Sequence, residues 1–182
     1  VIILDFETNT TNEHDVIEVA AVRVKLVNNE YVILDKFHRY YLSRHPVNRF
    51  SYEVHKLTPE MILAYRKDKK HSVYFKEDED FVKFCKGAKT LVAHNASFEL
   101  RHLYKIVTFE KSFCTMKENR QIVKALGKNG QVKNPKLDET CLFYGIDFDD
   151  KSYHSATYDV TKTYEILRAM RNRNLIGQED NE

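Results

Sequence analysis

The chain opens "VIILDFET" (residues 1–8), and the reading of this stretch decides the fold. Four apolar residues, three of them β-branched, predict a buried strand that runs directly into two carboxylates. Successive side chains on a strand alternate faces, so Asp5 and Glu7 share one face while Phe6 points to the other. Two like charges side by side repel. Either the strand ends there in solvent, or a cation belongs between the acids. Partners elsewhere in the chain decide between the two.

Downstream of a polar turn at 9–15, "VIEVAAVRVKLV" (16–27) and "YVILDKFHRYYL" (31–42) are strand-like and joined by Asn28 and Asn29. With the first strand they predict an antiparallel meander. Residues 43–58, with Pro46, read as an excursion leading to a short helix capped by Thr58 with Pro59 in its first position. "EDEDFVKFCKG" (77–87) is acidic at its start and predicts a helix stopped at Gly87. "TLVAH" (90–94) reads as a buried strand followed by a helix from about Asn95 to Val107. Then come a strand at "SFCTM" (112–116), a helix over 117–126, a loop with Gly127, Gly130 and Pro135, a short helix at 136–144 and a long one from Ser155 to Asn174. Three strands followed by β-α alternation predict an α/β domain with a mixed sheet. Residues 1–174 are expected to form this one domain, with 175–182 as a polar tail.

A length of 182 residues suits a single core. With 42% hydrophobic and 31% charged residues the composition is globular rather than disordered. No apolar run approaches the roughly 18 residues of a membrane span, so no membrane partner is expected. There is no signal-peptide pattern, and a chain that opens on a strand is expected to lack a few preceding residues. Cys85, Cys114 and Cys141 are unclustered and set among apolar neighbours, which predicts reduced core thiols and a cytoplasmic location. Zinc patterns such as C-x-x-C and H-E-x-x-H are absent from the sequence, so a metal here is expected to be a hard ion held by oxygen. The net charge of +2 excludes a global basic field of the kind duplex binders carry. "RKDKKH" (66–71) reads as a solvated surface loop, whereas Lys124, Lys128, Lys133 and Lys136 are candidates for phosphate contact.

Two further acids stand out. On the helix after Asn95, the positions Ala96, Leu100, Leu103 and Val107 predict the core face, with Glu99 on its edge close to the end of a strand. In open α/β sheets, strand ends are where ligands bind. On the last helix the stripe Val160, Tyr164, Leu167 and the Arg171 stem predicts the docking face, bordered by Asp159. If Ser155 caps that helix, His154 lies just outside it and folds back over the first turn, where Asp159 points.

Together these residues resemble the three motifs of the DEDDh family of 3′–5′ exonucleases. The first, D-x-E, is Asp5 and Glu7; the second matches "HNASFE" (94–99); the third, H-x4-D, is His154 with Asp159. The likeness continues through "VIEVAAVRV" (16–24), "VHKLTPEMI" (54–62) and "CTM" (114–116), and so covers almost the whole chain. It implies an RNase H-like α/β domain with a mixed five-stranded sheet flanked by helices. It also implies two divalent cations, Mg²⁺ or Mn²⁺, held by Asp5, Glu7, Glu99 and Asp159, with His154 as general base. The implied reaction releases nucleoside 5′-monophosphates from single-stranded or frayed 3′ ends of DNA or RNA. Phe6, Thr8, His55, Asn95 and Phe98 would bind the substrate, although Phe6, facing away from the acids, is also expected in the core. A DNA polymerase subunit is a further candidate partner.

Two positions depart from the family pattern. Glu99 stands where aspartate is usual, moving its carboxylate by about 1.5 Å, and Lys56 stands where the family has a glycine. A second reading is therefore a weakened nucleic-acid-binding or polymerase-associated module, and a third a hydrolase of small nucleotides or very short oligonucleotides.

Overall fold

The structure, a computed structural model, describes residues 1–67, 69–150, 152 and 154–176. Strand β1 (Ile2–Thr8) lies at the centre of a five-stranded sheet of order β3-β2-β1-β4-β5. It pairs antiparallel with β2 (Val16–Val27), which pairs antiparallel with β3 (Glu30–Tyr40). On its other side it runs parallel to β4 (Thr90–Ala93), which is parallel to β5 (Lys111–Cys114). The meander and the mixed sheet are as the sequence predicts.

Both faces of β1 are covered, which is why its first residues are apolar without alternation. Ile2, Leu4 and Phe6 pack on one face with Phe75, Phe81 and Leu103. That face is covered by α3 (Glu79–Cys85) and α4 (Ala96–Leu103). Ile3 points to the other face, with Ala20, Val22, Val160 and Leu167, beneath α7 (Leu137–Tyr144) and α8 (Ala156–Asn172). Asp5 and Glu7 continue the α8 face beyond Ile3. The remaining helices are α1 (Arg49–His55), α2 (Pro59–Arg66), α5 (Thr115–Glu118) and α6 (Arg120–Val123). Thr58 caps α2 by accepting from Met61 N at 3.2 Å, as its sequence predicts. The three cysteines are buried in three separate core clusters.

Several details differ from the sequence reading. The excursion over 43–58 contains α1, whose cap Asn48 accepts from Phe50 N and Ser51 N. Helix α4 stops at Leu103 because Tyr104 leaves helical geometry at ψ 127°, and Lys105 then turns the chain in a left-handed conformation at φ 58°. Its buried side is Ala96, Glu99, His102 and Leu103, while Leu100 is exposed, so Glu99 belongs to the buried stripe rather than its edge. The helix predicted over 117–126 is two short helices broken at Asn119, whose buried amide donates to Thr115 O and accepts from Tyr144 Oη at 2.6 Å. Such side-chain bonds compete with the helical ladder. The expected tail begins later than residue 175, since Ile176 is buried in the core and Leu175 N donates to Met170 O. The end "GQEDNE" (177–182) lies outside the described residues.

His102 is fully buried on the Phe6 face, and neither of its ring nitrogens has a hydrogen-bond partner among the described residues. It packs edge-on against Phe98 at 4.8 Å and Phe6 at 6.4 Å. Burial lowers its pKa to about 4, helped by Arg101 and His14 and opposed by Asp15 and Glu13. The unfolded chain therefore takes up a proton near pH 6.5 that the folded chain refuses until about pH 4. Stability is full above pH 6.5 and falls through that window by up to about 3 kcal/mol from this group. Melting curves at pH 7.5 and 5 should show the fall, and His102→Leu should make it shallower.

Candidate active site

Each acid is delivered by a different kind of local structure. Asp5 and Glu7 share the α8 face of β1 because they are two residues apart. Pairing then sets Glu7 opposite Glu18 and Asp5 opposite Ala20. Glu99 comes from the first turn of α4, directly after β4, and is 2% exposed. Asp159 comes from the first turn of α8, whose N-cap is Ser155, as the sequence predicts. His154 sits just outside that helix in a left-handed conformation, φ 65°, and its backbone bonds the Asp159 carboxylate. Ligand atoms of Glu7, His154 and Asp159 lie within 4.8 Å of one another. These three therefore meet at one end of the central strand, and Asp5 lies near enough to feel Asp159, Glu7 and Glu99.

The electrostatics are those of like charges forced together. Burial, followed by Asp159, Glu7, Glu99 and Glu18, holds the Asp5 carboxyl well above the usual range. Burial, then Asp159, Glu18 and Glu99, does the same to Glu7. Asp159 is raised to about 7 and Glu99 to about 8, both chiefly by burial. Glu99 Oε2 and Asp159 Oδ1 are buried without a hydrogen-bond partner. Buried ionised oxygens of this kind are tolerated only when paired or bound to a cation. A set of carboxylate oxygens joined by one imidazole fits a hard divalent cation.

Of the expected substrate contacts, Thr8 is half-buried at the end of β1, and Asn95 is exposed as the N-cap of α4. Phe98 is half-buried at the rim of the Phe6 face, against His102. His55 is buried at the end of α1, accepting from Leu57 N through Nδ1, with its pKa lowered to about 4, first by burial and then by His154 and Lys56 against Glu18. Phe6 is the exception, because its ring is 4% exposed in the opposite core against Phe75 at 5.1 Å. Period-2 alternation puts it there, and only its main chain can reach a ligand. Lys56 does adopt the left-handed conformation that glycine takes more easily, φ 58° and ψ 12°. It lies with His55, His154, Ser155, Thr157 and Tyr158 along a cleft of about 580 Å³ between α1 and the start of α8.

Two neighbours of the site escape a reading by motif. Lys136, at the start of α7, acts on His154, whose pKa is lowered by burial and then by Lys136, against Asp138. Glu18 is a further buried acid beside the site, 1% exposed. Its signal was a glutamate inside an otherwise β-branched and apolar strand, at a position that antiparallel pairing sets beside Glu7. His94 of the second motif is a structural staple, with Nδ1 3.0 Å from Thr115 Oγ1 and Nε2 3.2 Å from Pro135 O.

A mixed β3-β2-β1-β4-β5 sheet with acids converging at the end of its central strand, beside a histidine, defines an RNase H-like nuclease architecture. Residues 2–167 match the Exonuclease family represented by RNase T, and the chain belongs to that family. Within it the chain is of the DEDDh type of 3′–5′ exonuclease and is similar to the epsilon subunit of bacterial DNA polymerase III. It is 27% identical over 183 residues to DNA polymerase III subunit epsilon of Salmonella typhimurium, covering 93% of this chain and 70% of that protein. It is 25% identical over 190 residues to ribonuclease T of Shewanella denitrificans, covering 94% and 80%. Among solved structures, the fold matches the nuclease domain of 3′hExo, a DEDDh family member bound to rAMP, with a TM-score of 0.65, 16% identity and coverage of 96% and 92%. Exonuclease X in complex with 5′ overhanging duplex DNA gives a TM-score of 0.64 at 19% identity, with coverage of 99% and 96%. No helix among the described residues is long and apolar enough to cross a membrane.

Proposed function

We propose that the chain hydrolyses single-stranded or frayed 3′ ends of DNA or RNA one nucleotide at a time, releasing nucleoside 5′-monophosphates. The observation that carries this reading is the convergence of four acids from three separate segments beside His154, three of them buried and two of their oxygens lacking any protein partner. Two divalent cations, Mg²⁺ or Mn²⁺, held by Asp5, Glu7, Glu99 and Asp159, would activate the attacking water and stabilise the departing 3′ oxygen. Asp5 feels Asp159, Glu7, Glu99 and Glu18 together, which would suit it to be a ligand of these cations.

His154 is half-buried with a lowered pKa, so it is neutral at pH 7 and can accept the proton of the attacking water. His55, held neutral across the cleft with Nδ1 accepting from Leu57 N, carries its proton on the unpartnered Nε2 and can donate a hydrogen bond there to the terminal nucleotide. Phe98 offers an edge on which a base can stack without sequence preference, and Lys136 a cation for the phosphate. Thr8 and Asn95 complete the rim, with the main chain of Phe6. Glu99 supports the enzymatic reading over a drifted binding module, because its carboxylate is fully buried with one oxygen unpartnered, an arrangement with no structural benefit.

Incubation with 5′-labelled single-stranded DNA and RNA of matched sequence, in Mg²⁺, Mn²⁺ or EDTA, tests this. A ladder shortening from the 3′ end with either cation and none in EDTA is the expected result, and the faster ladder names the sugar. Tight 3′-end binding without turnover in either metal would overturn it in favour of the binding module. The epsilon likeness makes a DNA polymerase subunit the first partner to try in a pull-down.

A further inference from the structure

We propose that Glu18 is a positioning residue for this site: its carboxylate ties the first turn of α8 to β2, and so sets Asp159 and His154 opposite Glu7. Glu18 projects from β2 directly across from Glu7, on the face that α8 covers. Its Oε2 accepts from Ala156 N, the first helical amide of α8, at 3.3 Å and across 138 residues of sequence. Its Oε1 lies 2.8 Å from His38 Nε2, and the Tyr40 hydroxyl bonds the same carboxylate, both partners coming from β3.

Helix α8 needs this outside acceptor. Ser155, its N-cap, makes no capping bond with its side chain and instead places its hydroxyl 3.0 Å from Thr157 Oγ1. A helix start left with free amides is completed by whatever acceptor is close, and a carboxylate there is favoured by the helix dipole. The helix that carries Asp159 is thus capped by the strand that faces Glu7. A shift of α8 along its axis would break this bond and separate Asp159 from Glu7 in one motion.

Glu18 is not itself a further ligand for a cation. Both of its oxygens are engaged by protein donors, whereas Glu99 Oε2 and Asp159 Oδ1 are not. Its contribution is reach rather than charge, and two conservative variants separate these. Glu18→Asp keeps the charge and withdraws the carboxylate by about 1.5 Å. Glu18→Gln keeps the reach and an acceptor oxygen but loses the charge.

The inference rests on the nuclease reading only for its kinetic arm. In the full chain, Glu18→Asp should lower kcat by about tenfold or more with KM within about twofold, the size expected for a residue that orients metal ligands. Mn²⁺ affinity, measured by calorimetry on the substrate-free protein, should weaken by about fivefold or more. Glu18→Gln should stay within about threefold of the parent in both, and melting curves verify that each variant is folded. A Glu18→Asp protein equal to the parent in both readouts would overturn the proposal. So would Glu18→Gln impaired as much as Glu18→Asp, which would make the charge, not the tie, the contribution. If the parent shows no turnover, the nuclease reading fails, and the Mn²⁺ titration alone decides the positioning role.

Discussion

Asp5→Asn should abolish hydrolysis, by about three orders of magnitude or more, and yet raise the melting temperature in EDTA. The loss follows from its place: Asp5 feels Asp159, Glu7 and Glu99, and on the proposed reading its removal would strip a cation ligand from the cluster. Residues that act as one unit lose activity together rather than in part. The gain follows from the same fact. An isosteric amide removes one of the mutually repelling carboxylates of the cluster without opening a cavity. A relief of about 1 kcal/mol corresponds to a rise of about 2–4 °C for a domain of this size. Calorimetric melting of both proteins in EDTA, beside the ladder assay, measures the two effects. A variant that is inactive and also less stable would mean that Asp5 serves the fold rather than the chemistry.

Divalent cations should stabilise the folded chain, and the increment should grow as pH rises from 6 to 8. Asp159 and Glu99 have folded pKa values near 7 and 8, above the ordinary carboxylate values near 4. The folded state therefore holds protons that the unfolded state has released. Stability from these groups is present at low pH, begins to fall once the pH passes about 4, and is lost above about pH 8. A bound cation replaces the lost protons, and below pH 7 it must compete with them. At 100 times its dissociation constant a cation adds about 2.7 kcal/mol, or roughly 5–11 °C at the slope for a domain of this size. Melting in EDTA and in Mn²⁺ at pH 6, 7 and 8 gives the increment directly. An increment independent of pH would place the cation somewhere other than among these acids.

The ends of these effects were legible in the sequence to different degrees, for physical reasons. The sheet could be read because strands buried on both faces, such as β1 and β4, are written as continuous apolar runs, and because β2 and β3 are joined by a two-asparagine turn. Asp5, Glu7, His154 and Asp159 could be read because each pair lies close in sequence at an element boundary. Glu99 was harder, since Leu100 invited a helical stripe offset by one residue, and only packing shows that the carboxylate occupies the buried face. Glu18 showed in the sequence only as a glutamate inside an apolar strand, which does not by itself assign it to the site. Its role depends on strand register with Glu7 and on an amide 138 residues away, neither of which local pattern encodes. Helix α1 was hidden because its cap, Asn48, follows Pro46 in a stretch of mixed polarity, and the break at Asn119 because it is caused by a tertiary bond to Tyr144.

On the proposed reading Asp5, Glu7, Glu99 and Asp159 form a cation site rather than a strand end that happens to be acidic. Anomalous scattering from crystals soaked in Mn²⁺ at pH 8 tests it most directly. Two peaks among these four carboxylates, lost in Asp5→Asn, are the expected result. Density that shows the acids free of Mn²⁺ at a concentration that supports the ladder assay would contradict the claim and return the cluster to an explanation in terms of the fold alone.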